Sequence, residues 1–284
     1  MRDQFNYDSN LPHWLNFMVA INNTGDIDPT YYAFRGIRND LSDKDVKKML
    51  VSQLMFYDIG ISCMLTETPD DKYWDTVDEI YPTCRRGKER RHFRGENGRK
   101  SIASIKPFGS PDKFWDAMYA DNYIDIRNNF KNISGFGDYF IWKYADYCDR
   151  VFDMPVDMKG AIKFLPKEPR LGSVIIANEI GLDDPDNFEA VMKHCIEECN
   201  KIGLLAPPAF NRPVDILEME TCYCGYKHVM AGTDYVGSDI IDNIKALKLI
   251  DSPIAEKMIK YLPKPLARDY FPTKKEESID LFNF

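Results

Sequence analysis

The 284-residue chain is 44% hydrophobic and carries a net charge of −8, which gives it enough apolar content and length to bury a core and excludes an intrinsically disordered chain. No apolar run reaches the roughly 18 residues of a membrane span, and the polar start Met1–Asn10 lacks a signal-peptide apolar region, so the sequence predicts a cytoplasmic protein without membrane association. The charge is uneven: Cys84–Lys106 holds nine Lys or Arg against two Glu, a net +7 that leaves −15 on the remainder, as expected of a phosphate-facing segment on an acidic body.

The pattern is helical nearly throughout. Leu11–Ile21 reads as an amphipathic helix ended by Gly25-Asp26-Ile27-Asp28-Pro29. Ser42 has the form of an N-cap, and Val46, Met49, Leu50, Leu54, Tyr57 and Ile61 recur after it at helical spacing. Asp112–Tyr123 predicts a shorter helix, and Phe140, Ile141, Tyr144, Ala145, Cys148, Val151 and Phe152 form another helical stripe. Gly172–Ala177 is the one tempting strand. Asp184-Pro185 predicts the start of a helix with Phe188, Val191, Met192, Cys195, Ile196 and Cys199 on its apolar face. Ala206–Pro213 reads as a loop, Ser252-Pro253 as the start of a last helix, and the residues from about Thr273 as a loose tail. The seven scattered cysteines predict reduced thiols rather than a disulfide framework. His194, Cys195, Cys199, Cys222 and Cys224 match no standard zinc spacing, so no metal site is expected.

Ile133-Ser134-Gly135-Phe136-Gly137 has the form of a helix-hairpin-helix turn. Its two glycines would permit backbone angles that side chains block, and the next helix would offer its free N–H groups to a phosphate. Asp138 does not strengthen anion binding there. A lone Gly-x-Gly is weak evidence, but twenty residues after Gly137 comes Asp157, in Pro155-Val156-Asp157. This spacing resembles the helix-hairpin-helix DNA glycosylase superfamily, where the hairpin holds the DNA backbone and an aspartate sits at the mouth of the base pocket. Tyr139 stands where bifunctional glycosylases carry a catalytic lysine, so a lyase is not expected. Glu220–His228, Gly232, Tyr235, Gly237 and Asp239, taken with Trp14–Phe17 and Asp26–Arg35, are similar to a phage branch of that superfamily. These are the amino acid:DNA transferases, or alpha-glutamyl/putrescinyl thymine pyrophosphorylases.

The resemblance implies an all-α, glycosylase-like fold of two helical lobes with a cleft between them, one formed by residues 26–154 and the other by 1–25 and 155–284. It implies transfer of an amino acid or polyamine onto a pyrophosphorylated 5-hydroxymethyluracil in double-stranded DNA, with release of pyrophosphate, in the host cytoplasm if the protein is phage-encoded. The base would be flipped out, the amine needs a general base, and the leaving pyrophosphate needs cations or N–H groups. Asp157 is then the candidate base or ammonium orienter; its ordinary alternative is a helix N-cap. Lys227 and His228 are candidates for the pyrophosphate, against a plain polar helix face. Cys224 is a candidate nucleophile toward the pyrimidine, against a core thiol. Tyr226, Tyr235 and Asp239 are candidate pocket residues. Ser134, Gly135, Phe136 and Gly137, with Arg85, Arg86, Arg90, Arg91 and Arg94, are candidates for DNA contact. No cofactor is required, although Mg²⁺ can accompany the pyrophosphate. An N-glycosylase, a non-catalytic DNA-binding module and a small-molecule enzyme on the same fold remain open alternatives.

Overall fold

A computed structural model describes residues 5–87 and 93–272, and every regular element within them is a helix. The chain runs through α1 (His13–Thr24), α2 (Pro29–Ile37), α3 (Asp43–Phe56), α4 (Ile59–Glu67), α5 (Tyr73–Ile80), α6 (Gly95–Ile105) and α7 (Pro111–Met118). It continues through α8 (Tyr123–Asn129), α9 (Asp138–Phe152), α10 (Lys167–Glu179), α11 (Phe188–Lys201), α12 (Ile216–Met230), α13 (Ser238–Lys248) and α14 (Pro253–Tyr261). Among the described residues the only extended pairings are two isolated bridges, Asn122 with Asp157 and Leu205 with Pro213. No described helix is long and apolar enough to cross a membrane.

Local chemistry sets many of the helix ends. Gly25 closes α1 in the left-handed region at φ 78°. The Ser42 hydroxyl accepts from the Asp45 N–H and starts α3, and Ser252 does the same for α14 through Ala255. Several expectations change. The stripe from Val46 to Ile61 is broken at Tyr57, which closes α3 in the left-handed region at φ 50°, so Ile61 belongs to α4. The helix expected over Asp112–Tyr123 ends at Met118, and Tyr123 begins α8. Asn187, not Asp184, caps α11, because its side chain accepts from the Ala190 N–H. Gly172–Ala177 lies inside α10 rather than in a strand. Its β-branched residues suit either structure locally, and packing against α12 decides for the helix.

The chain divides into two compact units. One comprises residues 30–163 and 242–262; the other comprises 1–29, 164–241 and 263–284. Residues 242–262, grouped on sequence grounds with the C-terminal lobe, cluster with 30–163: α14 packs on α4, and the Cys63 thiol lies 3.2 Å from Met258 Sδ. In this unit α3 packs against α4, α7 and α9. Asp146 on α9 is fully buried and accepts from the Tyr31 hydroxyl at 2.7 Å, with Lys143 Nζ at 3.5 Å and Arg150 Nη1 at 3.4 Å. The anion offsets the cost of placing two cations in the core.

The discontinuous unit is built on α10 and α12, with α11 and α1 against them. α10 and α12 touch backbone to backbone: a Cβ at Gly172 would lie 1.9 Å from the Tyr223 carbonyl oxygen. α1 is buried nearly all round, from His13 through Asn22 apart from Val19. Asp215 and Glu218 form a reciprocal capping box at the start of α12.

Candidate functional site

α8, one 3₁₀ turn and α9 form a helical hairpin through residues 133–137. Gly135 is required twice: its φ is +76°, and a Cβ there would lie 1.9 Å from Ser101 Oγ. Gly137 differs from expectation. Its φ is −80°, and a Cβ would meet nothing within 4 Å, so neither strain nor packing demands glycine. Its lack of a side chain leaves the start of α9 without a side-chain cap. Asp138 in the first turn of α9 is paired with Arg127 of α8 at 3.0 Å. The carboxylate that opposes an anion is therefore partly neutralised from within the hairpin. Phe136 anchors the turn, buried and stacked on Phe130 at 5.6 Å.

The turn rests on α6, the helical end of the basic segment. The Ser134 N–H donates to Ser104 Oγ at 3.1 Å, and Gly135 lies against Ser101. Hairpin and basic helix are thus adjacent, with Arg94, Arg99 and Lys100 exposed. A cavity of about 330 Å³ beside them is lined by Tyr81, Arg99, Lys106 and Asp78 among others. The arginines named from sequence divide. Arg85 is exposed but already paired: Nε and Nη2 donate to the buried Asp58 carboxylate at 2.7 and 3.0 Å, and Nη2 also reaches the Ala246 carbonyl. Arg86 lies over the Tyr81 ring at 4.8 Å and donates to the Tyr81 carbonyl. Arg94 is exposed at the N-cap of α6, and Arg90 and Arg91 lie outside the described residues. In the sequence, Arg99 and Lys100 stand out only as part of the segment's charge.

Two outcomes follow. Arg85→Ala is expected to destabilise the fold by about 1–3 kcal/mol, because it leaves the buried Asp58 carboxylate without its cation, and to leave DNA affinity nearly unchanged. Urea melts and gel-shift titrations measure the two effects. The double reversal Arg99→Glu with Lys100→Glu is expected to act oppositely. Stability should be kept, while DNA affinity falls and the log–log salt dependence becomes shallower by about one for each phosphate no longer neutralised.

Asp157 is exposed and fixed by its backbone. Its N–H donates to the Asp121 carbonyl at 2.8 Å, and its carbonyl accepts from the Tyr123 N–H at 2.9 Å. It is therefore tied to the start of α8, while the glycine turn lies beyond the other end. The intervening α8 and 3₁₀ turn span roughly 15 Å. The carboxylate accepts one N–H bond, from Lys159 at 2.8 Å, so it caps a turn rather than an α-helix. Tyr139 donates to the Tyr57 hydroxyl at 2.8 Å.

The remaining named residues belong to the discontinuous unit. Lys227 is paired with Glu168, and burial, followed by the nearby Lys167, lowers its pKa. His228 Nδ1 lies 3.2 Å from the Thr233 hydroxyl. Cys224 is half-buried, whereas Cys195, Cys199 and Cys222 are buried, and burial raises the pKa of each of those three thiols. Tyr226 is fully buried; its hydroxyl donates to Glu179, which also accepts from the Trp14 N–H at 3.1 Å. Tyr235 is half-buried with the Arg268 guanidinium 5.4 Å from its ring, and Asp239 is exposed in the first turn of α13. Among the described residues no group of three His, Cys, Asp or Glu is placed to hold a metal ion.

One group of carboxylates in this unit emerges only from the structure. Asp26 is buried and accepts from the Gly237 N–H at 2.5 Å. Burial first, then the Asp234 and Asp28 carboxylates, push its pKa up to about 7. The only sequence signal is the Asp-Ile-Asp-Pro string, which shows charge but not burial.

Comparison with known proteins adds the following. A family model described as amino acid:DNA transferase matches residues 22–233. That range includes Asp26, the hairpin, Asp157 and most of the residues named on α12 and after it. A putrescinyltransferase of Delftia phage PhiW-14 is 37% identical over 272 residues, which cover 93% of this chain and 87% of the relative. A glycinyltransferase of Pseudomonas phage PaMx11 is 26% identical over 251 residues, which cover 77% of this chain and 84% of the relative.

Proposed function

The chain belongs to the amino acid:DNA transferase family and is a transferase acting on DNA, and we propose that it displaces pyrophosphate from 5-pyrophosphomethyl-deoxyuridine in double-stranded DNA with an amine. The amine nitrogen bonds to the exocyclic methylene carbon. The carbon–oxygen bond to pyrophosphate breaks, pyrophosphate leaves with that electron pair, and the nitrogen sheds one proton. Asp157 accepts this proton, or it orients an incoming ammonium that gives up its extra proton to solvent before attack. Lys227 and His228 supply positive charge and hydrogen bonds to the leaving pyrophosphate, and Mg²⁺ is its natural counter-ion in solution. The start of α9 and the exposed cations of α6 hold the DNA backbone while the base is turned out of the stack.

The observation that carries this reading is the near end-to-end similarity to a phage putrescinyltransferase. The adjacency of hairpin and basic helix supports the DNA-binding part. The test is mass spectrometry of nucleosides from DNA bearing 5-pyrophosphomethyl-deoxyuridine after incubation with the protein, amino acids and polyamines. A nucleoside that has lost pyrophosphate and gained one amine is expected. Release of free base would replace the reading with N-glycosylase activity. An unchanged profile alongside intact DNA binding would leave a binding module.

A further inference from the structure

The cavity beside α6 has walls of its own. Arg99, Ile102, Ala103 and Lys106 stand at positions i, i+3, i+4 and i+7, so one face of α6 and its C-cap forms one wall. Asp78 near the end of α5, with Tyr81 just after it, forms the other. The two walls are fixed to each other. The Tyr81 hydroxyl donates to the Gly95 carbonyl at 2.7 Å, and a Cβ at Gly98 would lie 2.2 Å from that hydroxyl oxygen, so only glycine lets α6 approach the ring this closely. Lys106 Nζ pairs with Asp78 Oδ2 from one wall to the other.

The lining offers three chemistries. Tyr81 and Ile102 are buried and form an apolar floor, which the Ala103 methyl extends. Arg99 is an exposed cation that no carboxylate among the described residues pairs with. Asp78 is an exposed carboxylate, and Lys106 takes one of its oxygens. The volume, about 330 Å³, lies at the low end of small-molecule sites, roughly 300–1,000 Å³, and admits one small molecule but no duplex. Phosphate or pyrophosphate would answer Arg99, but it would meet the Asp78 carboxylate and set its charge against the apolar floor. A purely apolar ligand would leave Arg99 and Asp78 without partners. The ligand that satisfies all three carries an anion, a flat and largely apolar body, and a hydrogen-bond donor. Nucleotides have this form, and their bases differ in the donor: adenine, cytosine and guanine carry an exocyclic amine, and thymine does not.

We propose that this cavity binds one nucleotide with an amine-bearing base. Its phosphate lies on Arg99, its base lies against Ile102, Ala103 and Tyr81, and its amine donates to Asp78. Two sources present that chemistry: a free deoxynucleotide, and a nucleotide left unpaired in DNA when its partner is turned out of the stack. Only the DNA source rests on the function proposed above. Ser101 and Ser104, which meet the hairpin, lie on the opposite face of α6, so the cavity is one helix width, roughly 10 Å, from the glycine turn. The grooves of duplex DNA are about 6 and 12 Å wide, so a strand held at the hairpin brings nucleotides within reach of the cavity.

The experiment is calorimetric titration of the full chain with dAMP, TMP, deoxyadenosine and inorganic phosphate as separate probes. dAMP is expected to bind at least tenfold tighter than each of the others. Ala103→Trp fills the cavity from an exposed position on α6, so the core is left alone, and it should weaken dAMP binding at least tenfold. Arg99→Gln should do the same. Gel-shift titrations then separate the sources, using a duplex with one adenine opposite an abasic position, the same duplex with thymine in that place, and the fully paired duplex. At least tenfold preference for the unpaired adenine, lost in Ala103→Trp, assigns the DNA source. Binding of dAMP without that preference assigns the free nucleotide. Failure to bind any duplex would remove the DNA contact proposed above, while dAMP binding would keep the cavity. Neither dAMP binding nor a preference for unpaired adenine, equal binding of TMP, or dAMP affinity unchanged in a folded Ala103→Trp would each overturn the site.

Discussion

Asp157→Asn is expected to lower the rate of amine transfer by about 10²–10⁴-fold, the range associated with loss of a positioned general base. The prediction is sharp because the substitution disturbs little else. The side chain accepts one backbone hydrogen bond, from Lys159, and an asparagine oxygen accepts the same bond. The residue is exposed, and its ties to the start of α8 run through backbone atoms that the substitution keeps. Folding stability should therefore change by no more than about 0.5 kcal/mol, and DNA affinity should be preserved. Single-turnover nucleoside analysis beside a gel-shift titration separates these quantities. A variant that transfers amine at the parent rate would reduce Asp157 to a turn cap.

Gly172→Ala is expected to be among the most destabilising single-methyl changes in the chain, at about 3 kcal/mol or more. Two effects oppose each other. Alanine is a better helix former than glycine by roughly 1 kcal/mol, which favours the variant. Against that, the new methyl would lie 1.9 Å from the Tyr223 carbonyl oxygen, 2.5 Å from its carbon and 3.0 Å from its Cα. All three are backbone atoms of α12, so no side chain can rotate away; the two helices must separate. Gly225→Ala on α12 is the matching control: its methyl would meet the Phe17 ring at 3.2 Å, and a ring edge can yield. Urea denaturation of both variants should show a large loss for the first and a change near zero for the second. Comparable losses would mean that α10 and α12 are not held at backbone contact.

Signals that act over a few residues are legible in the sequence. Ser42, Gly25 and Ser252 are of this kind, and their helices begin or end where the pattern places them. Competing local signals are less so. Asp184 and Asn187 are both good caps three residues apart, and only the bond to Ala190 separates them. Long-range partners are not legible at all. The sequence shows Arg85 as one more charge in a basic run, whereas its partner Asp58 lies 27 positions earlier and is buried. Asp26 is visible as part of a motif, but its burial depends on residues more than 200 positions away. Asp157 is singled out by its spacing from a glycine turn, and that spacing along the chain covers α9 and its cap.

The path of the chain through its two units also bears on synthesis. Residues 30–163, most of the α3-centred unit, are continuous and can collapse soon after they emerge. α1 cannot follow this order. Its buried face, which includes Trp14, Phe17 and Met18, packs on α12, whose first residue is Ile216. At about 5–20 residues per second, an interval on the order of 10–40 seconds separates the emergence of these two helices. Throughout that interval the ribosome carries the apolar helix α1, whose cover has not yet been made. The nascent chain is thus open to capture by chaperones, or by its neighbours on a polysome, at α1, and that vulnerability ends only when the roughly 200 residues that separate α1 from α12 have been translated.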